Sequence, residues 1–242
     1  MWWLVACEVP DDVDAGEVAG APDPWDALVA EAALHFGFEA FVGGDEVVDD
    51  SPSGLAGVAW GEDDVAARVV AGPRGQALTF DGEREFVYVA DADVLDLAGE
   101  GTLLAWMRAD PRDGGPRAYP ILDKYAFVDG AWTGYAAYLD GAQPYAGVYA
   151  GVETGEECGG PAIGVFDDGE WHLYAATFDG EALAVTVDGV EAARCAWSRP
   201  AWANGDFLEV GTRGGEYFFR GALDDVTVVP RALSGEEIAA LL

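Results

Sequence analysis

The 242-residue sequence predicts an all-β fold, a two-sheet antiparallel sandwich of jelly-roll type with a short C-terminal helix and an N-terminal extension. Three observations carry this. From His35 onward, short apolar runs are punctuated by Gly, Asp and Pro every eight to fifteen residues, which is the rhythm of short strands joined by tight turns. Within EWHLYAATFDGEALAVTVDGV at 170–190, Asp-Gly occurs twice, nine residues apart, and Leu183, Val185 and Val187 alternate with Ala184, Thr186 and Asp188. Asp-Gly suits a two-residue hairpin because both central residues need positive φ, which Gly adopts freely and Asp tolerates; the alternation is the period-two mark of a strand with one buried face. Only the last segment is clearly helical, where Ser234-Gly-Glu-Glu237 forms a capping box ahead of Ile238, Leu241 and Leu242.

Taken in order, residues 1–32 read as an N-terminal extension and 33–242 as the sandwich domain. WWLVACEV has the composition of a short strand, and an exposed apolar strand needs a cover: it pairs with the domain's own sheet edge or meets a neighbouring subunit. DDVDAGEVAGAPD is an acidic link, and Asp23-Pro24 is an N-cap with proline at the first helical position, opening a short helix through about Ala33. Candidate strands follow at 36–42, 77–80, 86–90, 102–108, 119–123, 134–139, 145–150, 171–178, 182–187, 191–197, 207–211 and 221–229, and the three within 171–197 form an antiparallel meander. A second TFDGE at 79–83 repeats the hairpin chemistry ahead of the alternating FVYVA at 86–90.

A chain of this length buries roughly 70–75% of its unfolded surface, enough for one core without a disulfide framework. Cys7, Cys158 and Cys195 are too few and too scattered for a zinc site or a disulfide scaffold; they allow one bridge with one thiol left over. The 45 acidic against 12 basic residues give a net charge of −33, and Lys124 is the sole lysine. Nucleic acid is thereby excluded as a direct partner, because phosphate contacts need a basic surface. Spread over about 10,000 Å², the excess charges sit ~18 Å apart. Many pairs repel at ~0.1 M salt, where the screening length is about 10 Å, and hardly any at ~1 M, where it is about 3 Å. A GC-rich genome would also favour Asp over Lys, but it would enrich Arg, which is scarce here; the composition points to a halophilic source. No apolar run approaches the ~20 residues of a membrane span. The start imitates a lipoprotein cleavage site in Leu4-Val5-Ala6-Cys7 but has no basic n-region and too short an apolar stretch, so export by this segment is not expected.

GQALTFDGEREFVYVADADVLDL at 75–97, GTLLAWMRAD at 101–110, ILDK at 121–124, EWHLYAATFDGEALAVTVDG at 170–189, FLEVG at 207–211 and FRGALDDVTVVPRALSGEEIAAL at 219–241 together resemble the laminin-G-like, concanavalin A-like jelly-roll superfamily over residues 33–242. The resemblance implies two curved antiparallel sheets packed face to face, with Trp106 and Trp171 as core residues. It also implies a structural calcium ion, held by carboxylates of the first strand and its following loop together with the acidic pair of the last strand; the matching positions are Glu39, Asp50, Asp224 and Asp225. Calcium takes six to eight oxygens, which clustered carboxylates supply; the other reading of so many acids is solvated surface.

Relatives with this fold that hydrolyse glycans carry Glu-x-Asp-x-x-Glu on one strand, so that paired carboxylates reach one face. This sequence has no such run, Asp224 and Asp225 alternate across their strand, and His172, between Trp171 and Leu173, reads as a packed structural imidazole. No enzyme activity is expected. Trp132, Tyr135, Tyr138, Tyr145 and Tyr149 fall in a segment of alternating aromatics, either a platform for the apolar faces of sugars or ordinary sheet packing. ECGGP at 157–161 and WSRPAWANGD at 197–206 read as exposed recognition loops. Three functional readings follow. The first is a non-catalytic structural or adhesion protein on a particle surface, most simply a capsid or tail component of a virus of a halophilic archaeon, with other copies or other structural proteins as partners. The second is a glycan-binding module of a halophilic cell-surface protein, and the third, weakest, is a glycoside hydrolase.

Overall fold

The computed structural model describes residues 23–242 apart from 43, 63, 98, 112–117, 152–155, 161–163, 198–200 and 202. The expected WWLVACEV strand, the acidic link and Cys7 lie outside the described residues. In chain order the elements are α1 (Pro24–Val29), β1 (Leu34–Phe36), β2 (Phe41–Val42), β3 (Glu46–Val47), β4 (Gly57–Trp60), β5 (Val69–Gly72), β6 (Gly75–Asp81), β7 (Phe86–Val89) and β8 (Gly101–Ala109). There follow β9 (Ala118–Val128), β10 (Ala131–Asp140), β11 (Gln143–Ala150), β12 (Glu156–Gly159), β13 (His172–Phe178), β14 (Ala182–Val187) and β15 (Val190–Ala196). The chain closes with β16 (Leu208–Val210), β17 (Thr212–Arg213), β18 (Tyr217–Phe218), β19 (Arg220–Val229) and α2 (Gly235–Ala239).

Apart from the two-stranded β17–β18 hairpin, these strands make two antiparallel sheets. One runs β15-β14-β13-β8-β19-β6-β5 with β1 also paired to β19; the other runs β12-β11-β10-β9-β16-β7-β4-β3-β2. Their facing surfaces bury one apolar core, in which Leu78, Met107, Tyr174, Val185 and Leu223 from the first sheet meet Val87, Ile121, Leu139, Val148 and Val210 from the second. The period-two pattern decides this directly: in β7 Val87 and Val89 point into the core while Phe86 and Tyr88 remain half-buried on the outside. The expected meander is β13-β14-β15.

The two Asp-Gly pairs of that meander turn differently. Asp188-Gly189 has both φ positive, at 51° and 73°, which is the two-residue turn expected. At Asp179-Gly180 only the glycine is left-handed, and the Asp179 carboxylate instead accepts from the amides of Glu181 and Ala182. The second TFDGE copy behaves alike, Asp81 accepting from Glu83, Arg84 and Glu85. The repeated chemistry is a side-chain cap on a wider turn.

The helices cover the outer face of the first sheet. Asp23 caps α1 by accepting from Trp25 N at 3.0 Å. The helix ends at Val29, short of Ala33, because Ala33 N already donates to Val228 O as the chain enters the sheet. Trp25 and Leu28 pack with Leu104, Leu173, Ile238 and Leu241, and the capping box on α2 is present as expected. Trp106 is partly buried beside this cluster and Trp171 lies half-buried under the Arg108 guanidinium at 5.2 Å, so neither sits in the inter-sheet core. Both side chains alternate to the outer face of their sheet.

One edge of the sandwich is closed covalently. Cys158 on β12 is bonded to Cys195 on β15, joining the edge strands of the two sheets. The first four residues expected as a recognition loop, Glu157 to Gly160, are therefore mostly an edge strand pinned by a buried cysteine. In the other expected loop, Trp197 and Asn204 are buried.

Candidate ligand-binding site

The outer face of the nine-stranded sheet carries the side chains best suited to recognition. On β10, Trp132 and Tyr138 share a face with Ala136 and are joined by Tyr125 and Phe127 from β9 and by Tyr145 and Tyr149 from β11. Trp132 stacks on Tyr125 with centroids 4.4 Å apart and planes 7° apart, Phe127 leans on Trp132 at 4.7 Å, and Tyr138 stacks on Tyr145 at 5.7 Å. Glycine makes this floor possible at Gly147, where a Cβ would stand 2.4 Å from the Tyr149 hydroxyl, so that ring lies flat along the sheet. Of the expected platform residues, Trp132, Tyr138, Tyr145 and Tyr149 come together on this face, with Tyr138 and Tyr149 buried within it, so that Trp132 is the one of the four that lines the cavity described next. Tyr135 does not join them: its odd spacing from Trp132 turns it into the inter-sheet core, 1% exposed, where its hydroxyl donates to Leu95 O at 2.9 Å.

The β17–β18 hairpin folds across this face and turns the platform into a cavity. It encloses about 750 Å³ between Tyr125 and Trp132 on one side and Arg213, Gly214, Glu216 and Tyr217 on the other, with Asp140 at its end. That volume suits a small ligand such as one or a few sugar rings. Arg213 projects from the hairpin over Tyr138 at 4.3 Å and over Tyr125 at 5.3 Å, and its Nε donates to Asp123 Oδ2 at 2.5 Å. Burial pushes Asp123 up to about 7, against the pull of Arg213, and the same carboxylate holds the guanidinium above its usual range. Glu209 on β16, paired directly with Asp123 on β9, is also raised by burial while accepting from Gly214 N at 2.7 Å. Glu157 accepts from the Tyr149 hydroxyl at 3.0 Å.

A second aromatic group continues along the same sheet face beyond Glu209. Trp60 stacks on Phe86 at 6.3 Å, Phe218 meets Phe86 at 6.3 Å, and Phe207 meets Tyr88 edge-on at 5.4 Å. Trp60 and Phe207 are 58% and 51% exposed, large values for aromatic rings. Behind the platform, Lys124 points inward and is 1% exposed; its ammonium donates to Asp91 Oδ1 and Asn204 O, both at 2.7 Å, and to Asp206 O at 3.1 Å. It ties the loop that presents Phe207 to β9. Arg213, Tyr125 and Phe127 escaped the sequence reading because strand pairing, which is long-range, brings them to Trp132.

The carboxylates expected to bind calcium meet at another corner. Alternation would send Asp224 and Asp225 to opposite faces, but a register shift follows Asp224 and Asp225 has φ 47°. This bulge turns both toward Arg74: Asp224 Oδ2 accepts from Arg74 N at 3.3 Å, and Asp225 Oδ2 lies 3.2 Å from Arg74 Nε at an angle too oblique for a hydrogen bond. Arg74 also pairs with Asp23 at 3.1 Å and lies over Trp25. Burial pushes Asp225 up to about 8 and Asp224 to about 6. Buried His35, lowered to about 4 by desolvation, is neutral at pH 7. The Thr227 hydroxyl donates to Asp225 O, so it accepts from His35 Nδ1, leaving a lone pair on Nε2 aimed at Asp225 Oδ1 3.4 Å away. Gly37 leaves room here: a Cβ on it would lie 3.3 Å from His35 Nε2, 3.6 Å from Asp50 Oδ2 and 3.8 Å from Asp225 Oδ1. Glu39 and Asp50 line the same pocket as Asp225, with the Glu39 carboxylate accepting from Gln76 N at 2.6 Å. Among the described residues no three acidic, His or Cys side chains are close enough to hold an ion as placed, and Arg74 supplies the positive charge. These residues do not form a calcium cage in this arrangement.

His172 bridges Asp188 Oδ2 at 2.7 Å and Asp168 Oδ1 at 3.3 Å and packs edge-on against Phe166. It links the β14–β15 hairpin to the loop before β13.

With this geometry in place, the class is defined: the chain belongs to the concanavalin A-like lectin/glucanase superfamily, whose family model matches residues 81–239. The fold has solved counterparts. The binding domain of Paraclostridial Mosquitocidal Protein 1 superposes with a TM-score of 0.66 at 13% identity, covering 88% of this chain and 52% of that one. The botulinum neurotoxin serotype G binding domain gives 0.64 at 13%, covering 87% and 50%, and the botulinum neurotoxin DC binding domain in complex with SialylT gives 0.63 at 11%, covering 88% and 51%. The chain spans about half the length of these structures, and at such identity the likeness is one of fold. Comparison with curated proteins finds no match.

Proposed function

We propose that this protein is a non-catalytic glycan-binding module that works outside the cell in strong salt. The observation that carries the reading is the aromatic platform beneath the β17–β18 hairpin, an open cavity of about 750 Å³ with Trp132 and Tyr125 in its wall. Flat rings stack on the apolar faces of sugars, and the cavity adds hydroxyl and carboxylate groups for orientation. Several of the structural neighbours are described as binding domains: one is in complex with SialylT, another with rat synaptotagmin II, and cell entry of the type C toxin is described as dependent on interaction with two ganglioside molecules. Catalysis is not part of the reading, because Asp123, the most perturbed carboxylate of the platform, is 2% exposed and committed to Arg213.

The setting we propose is the outer surface of a particle or cell in molar salt, a virion of a halophilic host being the simplest case. The net charge of −33 supports the salt, and the Cys158–Cys195 bond supports an oxidising exterior. Other copies or structural proteins of the assembly would then be neighbours. Calcium at the acidic corner is likewise a proposal, requiring Arg74 to withdraw from Asp225; a melting curve with calcium and with chelator tests it, and identical curves reject it. For the main reading the test is a glycan array in molar salt with the native chain and Trp132→Ala. Sugars retained by the native chain and lost by the variant are the expected result. An array on which nothing binds, or on which Trp132→Ala binds equally, rejects it.

A further inference from the structure

The aromatic walls of the cavity stand on β9 and β10, and a second set of rings stands on β7, β4 and the loop before β16. Alternation puts both sets on one face of the sheet. Trp60 follows the inward Ala59, Phe86 and Tyr88 flank the inward Val87, and Phe207 precedes the inward Leu208. Trp60 pairs with Phe86 and stacks on it at 6.3 Å, Phe86 meets Tyr88 at 6.3 Å, and Tyr88 meets Phe207 at 5.4 Å. The four rings form one connected line, yet Trp60 and Phe207 at its ends are 58% and 51% exposed. Single exposed apolar side chains are ordinary; a connected set marks a surface that meets something. The β17–β18 hairpin touches both sets, since Tyr217 lines the cavity and its neighbour Phe218 lies 6.3 Å from Phe86.

The polar groups between the two sets indicate what covers them. Glu209, half-buried, pairs with Asp123 on the cavity side and with Tyr88 on the other, and its carboxylate accepts from Gly214 N at 2.7 Å. A protein partner laid across both sets would bring this acid into the core of an interface, where charged residues are depleted and an unpaired carboxylate is costly. A sugar chain offers apolar ring faces to the aromatics and hydroxyl donors to the acid between them.

We infer that Trp60 and Phe207 form a second sugar-stacking subsite, so that the ligand is an extended oligosaccharide crossing the nine-stranded sheet rather than a short sugar held in the cavity alone. The inference rests on the glycan reading above and sets the length of its ligand. From β10, which carries Trp132, to β4, which carries Trp60, the sheet advances four strand spacings, about 19 Å. A disaccharide does not reach from one set to the other.

The test is titration calorimetry in molar salt with β-linked oligomers of glucose, mannose and N-acetylglucosamine, each as disaccharide and as hexasaccharide. The native chain is expected to bind at least one hexasaccharide about tenfold or more tightly than its disaccharide, beyond the fewfold gain that repeated units give by statistics. Trp60→Ala with Phe207→Ala is expected to reduce the advantage to that statistical gain and to leave the disaccharide unchanged, whereas Trp132→Ala weakens both lengths. Both rings are exposed, so the double variant keeps the fold, which circular dichroism checks. Equal affinity for the two lengths, lost in Trp132→Ala, overturns this inference and leaves the glycan reading standing. A length preference untouched by the double variant overturns it as well. Light scattering that finds a dimer for the native chain and a monomer for the double variant assigns the rings to a contact between copies, and the inference falls. So does silence of all three oligomer series; silence of the glycan array besides removes the glycan reading too.

Discussion

Replacing Lys124 by Met keeps the length of the side chain and removes its charge, and the structure says how much that costs. The ammonium, 1% exposed, is held by Asp91 Oδ1 and Asn204 O at 2.7 Å, by Asp206 O at 3.1 Å and by Asn204 Oδ1 at 3.3 Å, with Asp96 at 3.7 Å. Met leaves the carbonyls of residues 204 and 206 without this donor and Asp91 without its cation. Breaking a buried pair costs about 3–5 kcal/mol. Asp91 is 39% exposed and keeps part of its hydration, so the lower end, ~3 kcal/mol, applies. At this chain length each kcal/mol moves the melting point by about 2–4 °C, so a fall of roughly 6–12 °C is expected. Differential scanning calorimetry in molar salt reads it. Because Lys124 adjoins Asp123 and secures the loop before Phe207, sugar affinity is expected to fall as well. A loss below ~1 kcal/mol would show that the sole lysine does not hold this loop, and the reasoning would fail.

Three further outcomes follow from other parts of the structure. Cys195→Ser opens a loop of 37 residues and is expected to cost about 4 kcal/mol, with reductant lowering the native melting point to the variant's value; a native chain indifferent to reductant contradicts the bond. Asp123, pushed up to about 7, retains in the folded protein a proton that the unfolded chain releases near the ordinary carboxyl value. The stability this gives is fully present below about pH 4 and is lost as pH rises through 7, a decline of about 2–4 kcal/mol. Asp123→Asn is expected to flatten that slope in denaturant titrations; an unchanged slope contradicts the assignment. Raising NaCl from ~0.1 M to ~2 M is expected to raise the melting point markedly through screening of the net −33 charge, and a flat response would contradict the halophilic setting.

Local rules made much of the fold legible. The meander β13-β14-β15 follows from alternation and from Asp188-Gly189, and the capping box of α2 follows from four consecutive residues. What local rules miss is pairing over distance. Asp123 and Arg213 are 90 residues apart in sequence, and only the fold of the hairpin over β9 brings them together. Cys158 and Cys195 could be matched only once β12 and β15 were known as edges on the same side. The bulge at Asp225 carries no glycine to announce it, so the convergence of Asp224 and Asp225 on Arg74 contradicts simple alternation. Tyr135 is different: its parity relative to Trp132 already pointed inward, and counting residues along β10 separates it from the platform.

The central claim is that ligand is held on the outer face of the nine-stranded sheet. The most direct measurement is a crystal structure of the protein grown in molar salt with a neutral oligosaccharide. Density for a sugar ring within the cavity walled by Tyr125, Trp132 and Arg213 is the predicted result. Sugar found instead at the acidic corner near Asp225 would contradict it.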